Sequence, residues 1–358
     1  MTTNTIALEK DNQNKLTGFK SAQSLANWEA AAREELNGAD PVEKLMHQGK
    51  DWVIKPFYVQ DQNPPSPLLP VSTNDFLGAR TWYNCPLVQV RDPKESNFKA
   101  LEYLRAGADG ILFELNSPTD FNTLLNEIEW KYCSLNFIAT AHQQVLSQGL
   151  NTYISQNKTE NISFHGAFFG NTPLPIKNSE FRFSGFQFSE SSSPVEEIET
   201  IFKDILKDSR DGSLIDFLAI SITIGTDFYL TIAKLRAMRM VWKKYLDAIQ
   251  SKSDQPLFIH AHSRPWIDKN FQPHGNMLKG TYAAMAAILG GCDVLTIEEE
   301  DPNNKTMSRE ACNISNVLRE ESFLSKVSDP LAGSYFIEDL TQQLTESAWK
   351  KIQTHLPK

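Results

Sequence analysis

His260 and His262 stand two residues apart in the apolar run PLFIHAH, residues 256–262. In an extended strand, alternate side chains share a face, so both imidazoles point the same way. Such a pair is a metal-ligand pattern, but a metal site needs further imidazole or carboxylate ligands. Only His274 and His355 follow in the chain, so metal binding is the lesser reading and a satisfied interior or mouth histidine the greater. Glu298-Glu299-Glu300-Asp301 forms an acidic run that repels phosphate and reads as a solvated or partner-facing turn. FRFSGFQFSE (181–190) mixes aromatic rings with Gln187 and Ser189. Lys234, Arg236, Arg239, Lys243 and Lys244 crowd one helical stretch, and a solvated face is the ordinary explanation.

These groups must be carried by regular elements. Eight apolar runs read as strands: 86–90, 110–115, 133–139, 162–169, 181–188, 217–224, 256–262 and 293–298. Helical patterns lie between most of them, including SNFKALEYLRAG, PVEEIETIFKDIL, TIAKLRAMRMVWKKYL and the small-residue-rich MLKGTYAAMAAILGG. Strand and helix alternating eight times predicts a (β/α)8 TIM barrel. The doubly wound rival calls for a glycine-rich phosphate turn, and neither GxGxxG nor GxxxxGK[ST] occurs. The phenylalanines of 181–188 fall on both alternating faces, which predicts an axis plugged by their rings. Residues 1–70 read as a separate strap: a helix over 24–36 anchored by Leu25, Trp28 and Leu36, a stop at Asn37-Gly38, an extended VIKPFYVQ, and a proline-rich QNPPSPLLP linker. Residues 71–358 form the barrel.

Composition narrows the class. The 358 residues are 41% hydrophobic and 22% charged, ordinary for a globular protein. The net charge of -9 argues against nucleic acid or an anionic membrane as partner. No apolar run approaches a membrane span, and the polar start MTTNTIALEKDNQNK lacks a signal core. Cys85, Cys133, Cys292 and Cys312 are scattered, with neither a disulfide framework nor a zinc pattern. A reduced, cytoplasmic protein is expected.

Four segments, in order, carry a family resemblance. They are NWEAAAREELNGADPVEKL with VIKPFY; Arg80-Thr81-Trp82 with Glu95-Ser96-Asn97; IGTDFYLTIAKLRAMRMVW; and GTYAAMAAILGG with KVSDPLAGSYF. Together they resemble the barrel region of the methylmalonyl-CoA mutases, adenosylcobalamin enzymes that interconvert methylmalonyl-CoA and succinyl-CoA. The resemblance implies departures. Where catalytic subunits have a tyrosine five residues after the framework tryptophan, this chain has Leu87, and an arginine two residues earlier becomes Cys85. A leucine donates no hydrogen bond. The cobalamin-facing S-G-Y-H-M-Q-E aligns with Ser184 to Glu190, placing Gln187 and Ser189 where histidine and glutamine stood. The histidine opening H-x-x-x-S-G-W falls on His260 by counting back from Trp266, with His262 the choice after a small slip; Ser263-Arg264-Pro265 replace its neighbours. No D-x-H-x-x-G loop follows, so no C-terminal cobalamin-binding domain is expected.

The reading is a small, non-catalytic subunit of an adenosylcobalamin-dependent methylmalonyl-CoA mutase. Its partner would be the large catalytic subunit of a heterodimer, which binds cobalamin and the coenzyme A ester; a homodimer is the alternative when that partner is absent. No residue is nominated as catalytic beyond His260 as a vestige, none as a cofactor or metal ligand, and no cofactor is expected on this chain alone. The strap would wrap the partner. The main alternative is a catalytic barrel of a split acyl-CoA mutase using cobalamin bound elsewhere; a metal-dependent barrel hydrolase is the third. Asp329 and Ser334 are expected to fix a turn, and Arg80 and Trp82 to serve as scaffold.

Overall fold

The computed structural model describes residues 25–59, 78–157, 164–170, 181–189, 193–208, 215–264 and 275–356. The chain divides into two compact units, residues 1–64 and 65–358. The first holds helices α1 (Leu25–Glu35) and α2 (Pro41–Leu45) and a short antiparallel ladder of β1 (His47–Gln48) with β2 (Val53–Ile54). The α1 helix stops as its sequence predicts. Asn37 and Gly38 take φ of 55° and 91°, and the Gly38 N–H donates to the Arg33 carbonyl at 2.8 Å. These are conformations that Asn and Gly reach at least cost. The expected anchors do not make a core, since α1 buries no residue and Leu25 is 39% exposed. Trp28 instead stacks on Phe57, ring centroids 5.1 Å apart.

The second unit is built on one parallel sheet. In chain order its strands are β3 (Tyr83–Asn84), β4 (Leu87–Val90), β5 (Gly110–Leu115), β6 (Ser134–Ala139), β7 (Gly166–Phe169), β8 (Phe181–Phe188), β9 (Leu218–Thr223), β10 (Phe258–His262) and β11 (Val294–Thr296). Their spatial order, β3-β11-β10-β9-β8-β7-β6-β5-β4, places consecutive β3 and β4 at its two ends. The two are halves of one strand split at Cys85-Pro86. The Cys85 N–H donates to Leu295 on one side, and Leu112 donates to the Pro86 carbonyl on the other, each at 3.0 Å. Nine segments therefore make eight strands and the ladder closes into a barrel. All eight predicted strands are present, with boundaries shifted by a few residues.

Helices α3 (Pro93–Arg105), α4 (Phe121–Leu124), α5 (Gln143–Gln156), α6 (Pro194–Asp208), α7 (Phe228–Ala248), α8 (Gly275–Gly290), α9 (Lys305–Glu320) and α10 (Tyr335–Ile352) complete the unit. Aspartates cap the critical ones. Asp92 accepts from Glu95 N–H at 2.8 Å ahead of α3, and Asp227 from Leu230 N–H at 3.1 Å ahead of α7. The helices cover an outer apolar layer that includes Phe113, Trp130, Phe137 and Phe168. A separate inner layer fills the barrel with Cys85, Leu112, Ile138, Ala167, Phe169, Ala219 and Val294, backed by Tyr83, Leu87 and Phe258.

Two expectations are corrected here. The rings of β8 do not fill the axis. Ala167 pairs with Arg182 and Phe169 with Gly185, so β8 carries an extra residue and its facing shifts mid-strand. Phe181 and Phe183 join the outer layer, and Phe186 pairs with Ile220 and shares its outward face. The interior position falls to Gly185, where a Cβ would sit 2.4 Å from the Phe168 carbonyl oxygen. The axis is filled by other side chains, Phe169 foremost. Second, the cationic face of α7 is not solvated as a whole. Lys234, Arg236 and Arg239 are 4%, 1% and 2% exposed, and only Lys243 and Lys244 face water. Lys234 meets both Glu197 oxygens at 2.9 and 3.0 Å. Arg236 meets both Asp329 oxygens at 2.8 Å and Glu338 at 2.9 Å. Arg239 holds Asp293 at 2.9 Å and the Leu257 and Gly291 carbonyls. Buried charges persist only when so paired.

The framework residues brace the barrel. Trp82 Nε1–H donates to Ser315 Oγ at 2.8 Å, and the Arg319 guanidinium lies 4.8 Å over the Trp82 ring while gripping Asp109 at 2.7 and 2.9 Å. Asn97 ties α3 to the Leu124 and Asn126 carbonyls at 2.9 and 2.8 Å. Arg80 donates to Ile288 at 2.6 Å, and burial, opposed by Asp329, lowers its pKa to about 10.

Candidate functional site

A cavity of about 420 Å³ opens where the strands end, at the face where barrel enzymes place their chemistry. Its walls are Leu87 and Gln89 from the first strand, Glu114 from β5, Ile138 of β6 with Thr140 just beyond it, and Gln187 and Phe188 of β8 with Ser189 just beyond. Ser221 and Thr223 come from β9, His262 and Arg264 from β10 and beyond, and Glu298 from the segment after β11. The apolar inner layer lies below.

The two histidines occupy different depths. His260 is fully buried. Its Nδ1 lies 2.8 Å from Ser221 Oγ and its Nε2 3.0 Å from Thr296 Oγ1. The Thr296 hydroxyl donates to the Cys85 carbonyl at 2.6 Å. Thr296 therefore accepts from Nε2–H, and Ser221 donates to Nδ1, which assigns the neutral Nε2–H tautomer. Burial first, and neighbouring His262 second, hold His260 well below the usual imidazole pKa. Both of its nitrogens are engaged. His262, one step nearer the mouth, stacks on the His260 ring at 5.6 Å and lines the cavity. Its Nε2 lies 2.5 Å from Glu298 Oε1, a carboxylate that can accept from the imidazole and orient it.

The other nominated positions resolve as follows. Leu87 presents an apolar wall to the cavity. Gln187 Nε2–H donates to the Phe169 carbonyl at 3.1 Å, and Ser189 Oγ accepts from Arg264 at 3.1 Å. The acidic run is not one solvated turn. Glu298 turns into the cavity, Glu299 accepts from Ser308 Oγ at 3.0 Å and lies 3.7 Å from Lys99, and Asp301 accepts from Asn303 N–H at 3.0 Å. Asp329 accepts from Leu331 N–H at 3.3 Å, making the expected turn, while Ser334 precedes α10 without a side-chain cap bond. His274, Pro265 and Trp266 lie outside the described residues, and His355 meets Glu199 at 3.2 Å. Among the described residues no three His, Cys, Asp or Glu gather to hold a metal. All four cysteines are buried and free. Burial pushes the Cys292 and Cys133 thiols to about 12 and Cys312 to about 11, so none is a ready nucleophile.

Sequence reasoning passed over Glu114, Thr140, Ser221 and Thr223. Their signal was available: each is a polar residue in the C-terminal half of an otherwise apolar strand, or just past it, on the inward parity.

The family model for methylmalonyl-CoA mutase matches residues 213–355. A methylmalonyl-CoA mutase of Cereibacter sphaeroides is 34% identical over 142 residues, which is 38% of this chain and 20% of that one. The mitochondrial methylmalonyl-CoA mutase of Macaca fascicularis aligns over 405 residues at 25% identity, covering 91% of this chain and 54% of its own length. The chain thus spans at most about half of these relatives. A dihydropteroate synthase from Yersinia pestis overlays at a TM-score of 0.42 with 11% identity, over 68% of this chain and 95% of that one, and carries no functional weight. Among the described residues no helix is long and apolar enough to cross a membrane.

Proposed function

Because this chain belongs to the methylmalonyl-CoA mutase family, we propose that it is the auxiliary subunit of such an enzyme and performs no isomerisation itself. One observation carries the reading. The barrel axis, through which the family's coenzyme A esters thread, is packed here by Leu112, Ile138, Phe169 and Val294 with Leu87 above them. A CoA chain would have to displace a close-packed layer, at a cost its binding does not recover. Leu87 stands in the tyrosine's place at the cavity wall and offers no hydrogen bond to a reacting group.

Adenosylcobalamin does not fit this mouth. Gln187 and Ser189, at the cobalamin-facing positions of the resemblance, are spent on the Phe169 carbonyl and on Arg264, so we assign the cofactor to the catalytic partner and derive no step through it. In this reading residues 1–70 form the strap that engages that partner, a role suited to a unit whose helix buries nothing of its own.

Calorimetric titration of the folded chain with methylmalonyl-CoA, alone and with adenosylcobalamin, tests the proposal. Absence of heat in both supports it, and tight binding of the ester overturns it. The second reading, a catalytic barrel of a split acyl-CoA mutase, draws on His262 facing the cavity beside Glu298; turnover on addition of a separate cobalamin-binding chain would favour it.

A further inference from the structure

Three side chains of fixed charge, Glu114, Glu298 and Arg264, line the cavity at the barrel mouth. Glu298 lies 2.5 Å from His262 Nε2. Glu114, on β5, has neither hydrogen bond nor counter-ion among the described residues, yet its carboxylate lines the cavity. Arg264 also lines it, and among the described residues its guanidinium donates to the neutral Ser189 hydroxyl alone, at 3.1 Å.

The sheet order places these two charges across from each other. Counting around the eight strands from β5, the opposite strand is β9. Arg264 follows β10 and reaches Ser189 at the end of β8, so its guanidinium bridges over the end of β9. A carboxylate and a guanidinium, neither with a counter-ion among the described residues, thus stand on opposite sides of a cavity whose wall includes Leu87 and Ile138. A purely anionic ligand would meet Glu114, and a purely cationic one would meet Arg264. A molecule carrying both signs satisfies both walls. The volume, about 420 Å³, lies within the range of small-ligand sites.

We propose that this cavity binds a small zwitterionic amino acid with an aliphatic side chain. Its ammonium group contacts Glu114, its carboxylate contacts Arg264 and the Ser189 hydroxyl, and its side chain lies on Leu87 and Ile138. Binding is reversible and involves no covalent step. The proposal rests on the reading that coenzyme A esters do not occupy this mouth, and it adds a ligand to a subunit otherwise read as structural.

The test uses the full chain. The twenty standard amino acids are screened for thermal stabilisation, which follows from mass action when a ligand binds only the folded state, and hits are titrated by calorimetry. L-valine is compared with isobutylamine and 3-methylbutanoate, which each lack one of its charges. Binding of L-valine or a close aliphatic relative is expected, with each half-ligand weaker by about 10-fold or more, the size of a lost charge-assisted hydrogen bond. Glu114→Gln and Arg264→Gln should each weaken it by about 10-fold or more while their unliganded melting matches wild type. Stabilisation by none of the twenty at about 10 mM, a concentration adequate for a millimolar site, overturns the proposal. Equal binding of the half-ligands, or indifference to both substitutions, does so too. A parallel methylmalonyl-CoA titration reports on the auxiliary-subunit reading independently: ester binding sinks that reading whatever the amino-acid screen shows.

Discussion

Asp329→Asn removes one negative charge and almost nothing else. The new amide keeps an oxygen to accept from Leu331 N–H, the bond that shapes the turn. What it loses is the counter-ion of Arg236, met by both carboxylate oxygens at 2.8 Å, and of Arg80, at 3.7 Å. Each of these three side chains is only 1% exposed. Breaking a buried ion pair from one side costs about 3–5 kcal/mol, because the remaining charge stays desolvated. Glu338 remains on Arg236 at 2.9 Å, which places the expected loss near the lower end, about 3 kcal/mol. For a domain of this size each kcal/mol moves the melting midpoint by roughly 2–4 °C, so a fall of about 6–12 °C is expected. Circular-dichroism melting at neutral pH measures it. Lys305→Met is the control: its pair with Glu102 is 3.8 Å apart with Lys305 88% exposed, and a change within about 0.5 kcal/mol is expected. If Asp329→Asn costs no more than that control, the account of α7 as a buried ionic spine is wrong.

Three further outcomes follow from named contacts. His260 has a depressed pKa when folded, so the unfolded chain takes up its proton first, near pH 6.5. Its contribution to stability is full above that pH and is lost as pH falls below it, by up to about 1.4 kcal/mol per pH unit; His260→Gln should flatten that slope, read in urea unfolding from pH 7 to 5. Gly185→Ala should destabilise by about 2 kcal/mol or more, since its Cβ would lie 2.4 Å from a backbone oxygen that β7 cannot move; wild-type melting would refute the bulge geometry. Leu87→Tyr restores the residue type implied by the resemblance at a wall with a cavity in front of it. It should fold normally and still bind no methylmalonyl-CoA in calorimetry, because Phe169 and its neighbours still fill the axis.

The strands were legible because each is a short apolar run of the kind that a fully covered parallel sheet requires. GILFEL and FLAISITI could hardly be anything else, and once eight were found the barrel followed. The α9 and α10 helices, whose apolar residues are interspersed among many polar ones, went unread, although α9 packs on α8 and β3 and α10 on α6 and α7. The stop at Asn37-Gly38 was local chemistry and was read correctly. The charges of α7 were not, because whether Lys234 is solvated depends on Glu197, far away in the chain on α6. Sequence spacing sees only a helix face, not what another helix brings to it.

The same division runs through the site. Alternation alone put His260 and His262 on one face of one strand. Depth along the barrel axis is what separates them: His260 is sealed between Ser221 and Thr296, while His262 reaches the cavity and Glu298. Residues 181–188 spelled two equivalent aromatic faces, and a single extra residue against β7 put Phe181 and Phe183 in the outer layer and Gly185 inside, with Phe188 at the rim of the cavity. The sequence by itself determined which elements form and which family they belong to, since those rest on local composition and ordered motifs. Only the tertiary structure decided which charges are buried, which histidine meets the cavity and what fills the axis, because each of these depends on contacts between segments that are remote in the chain.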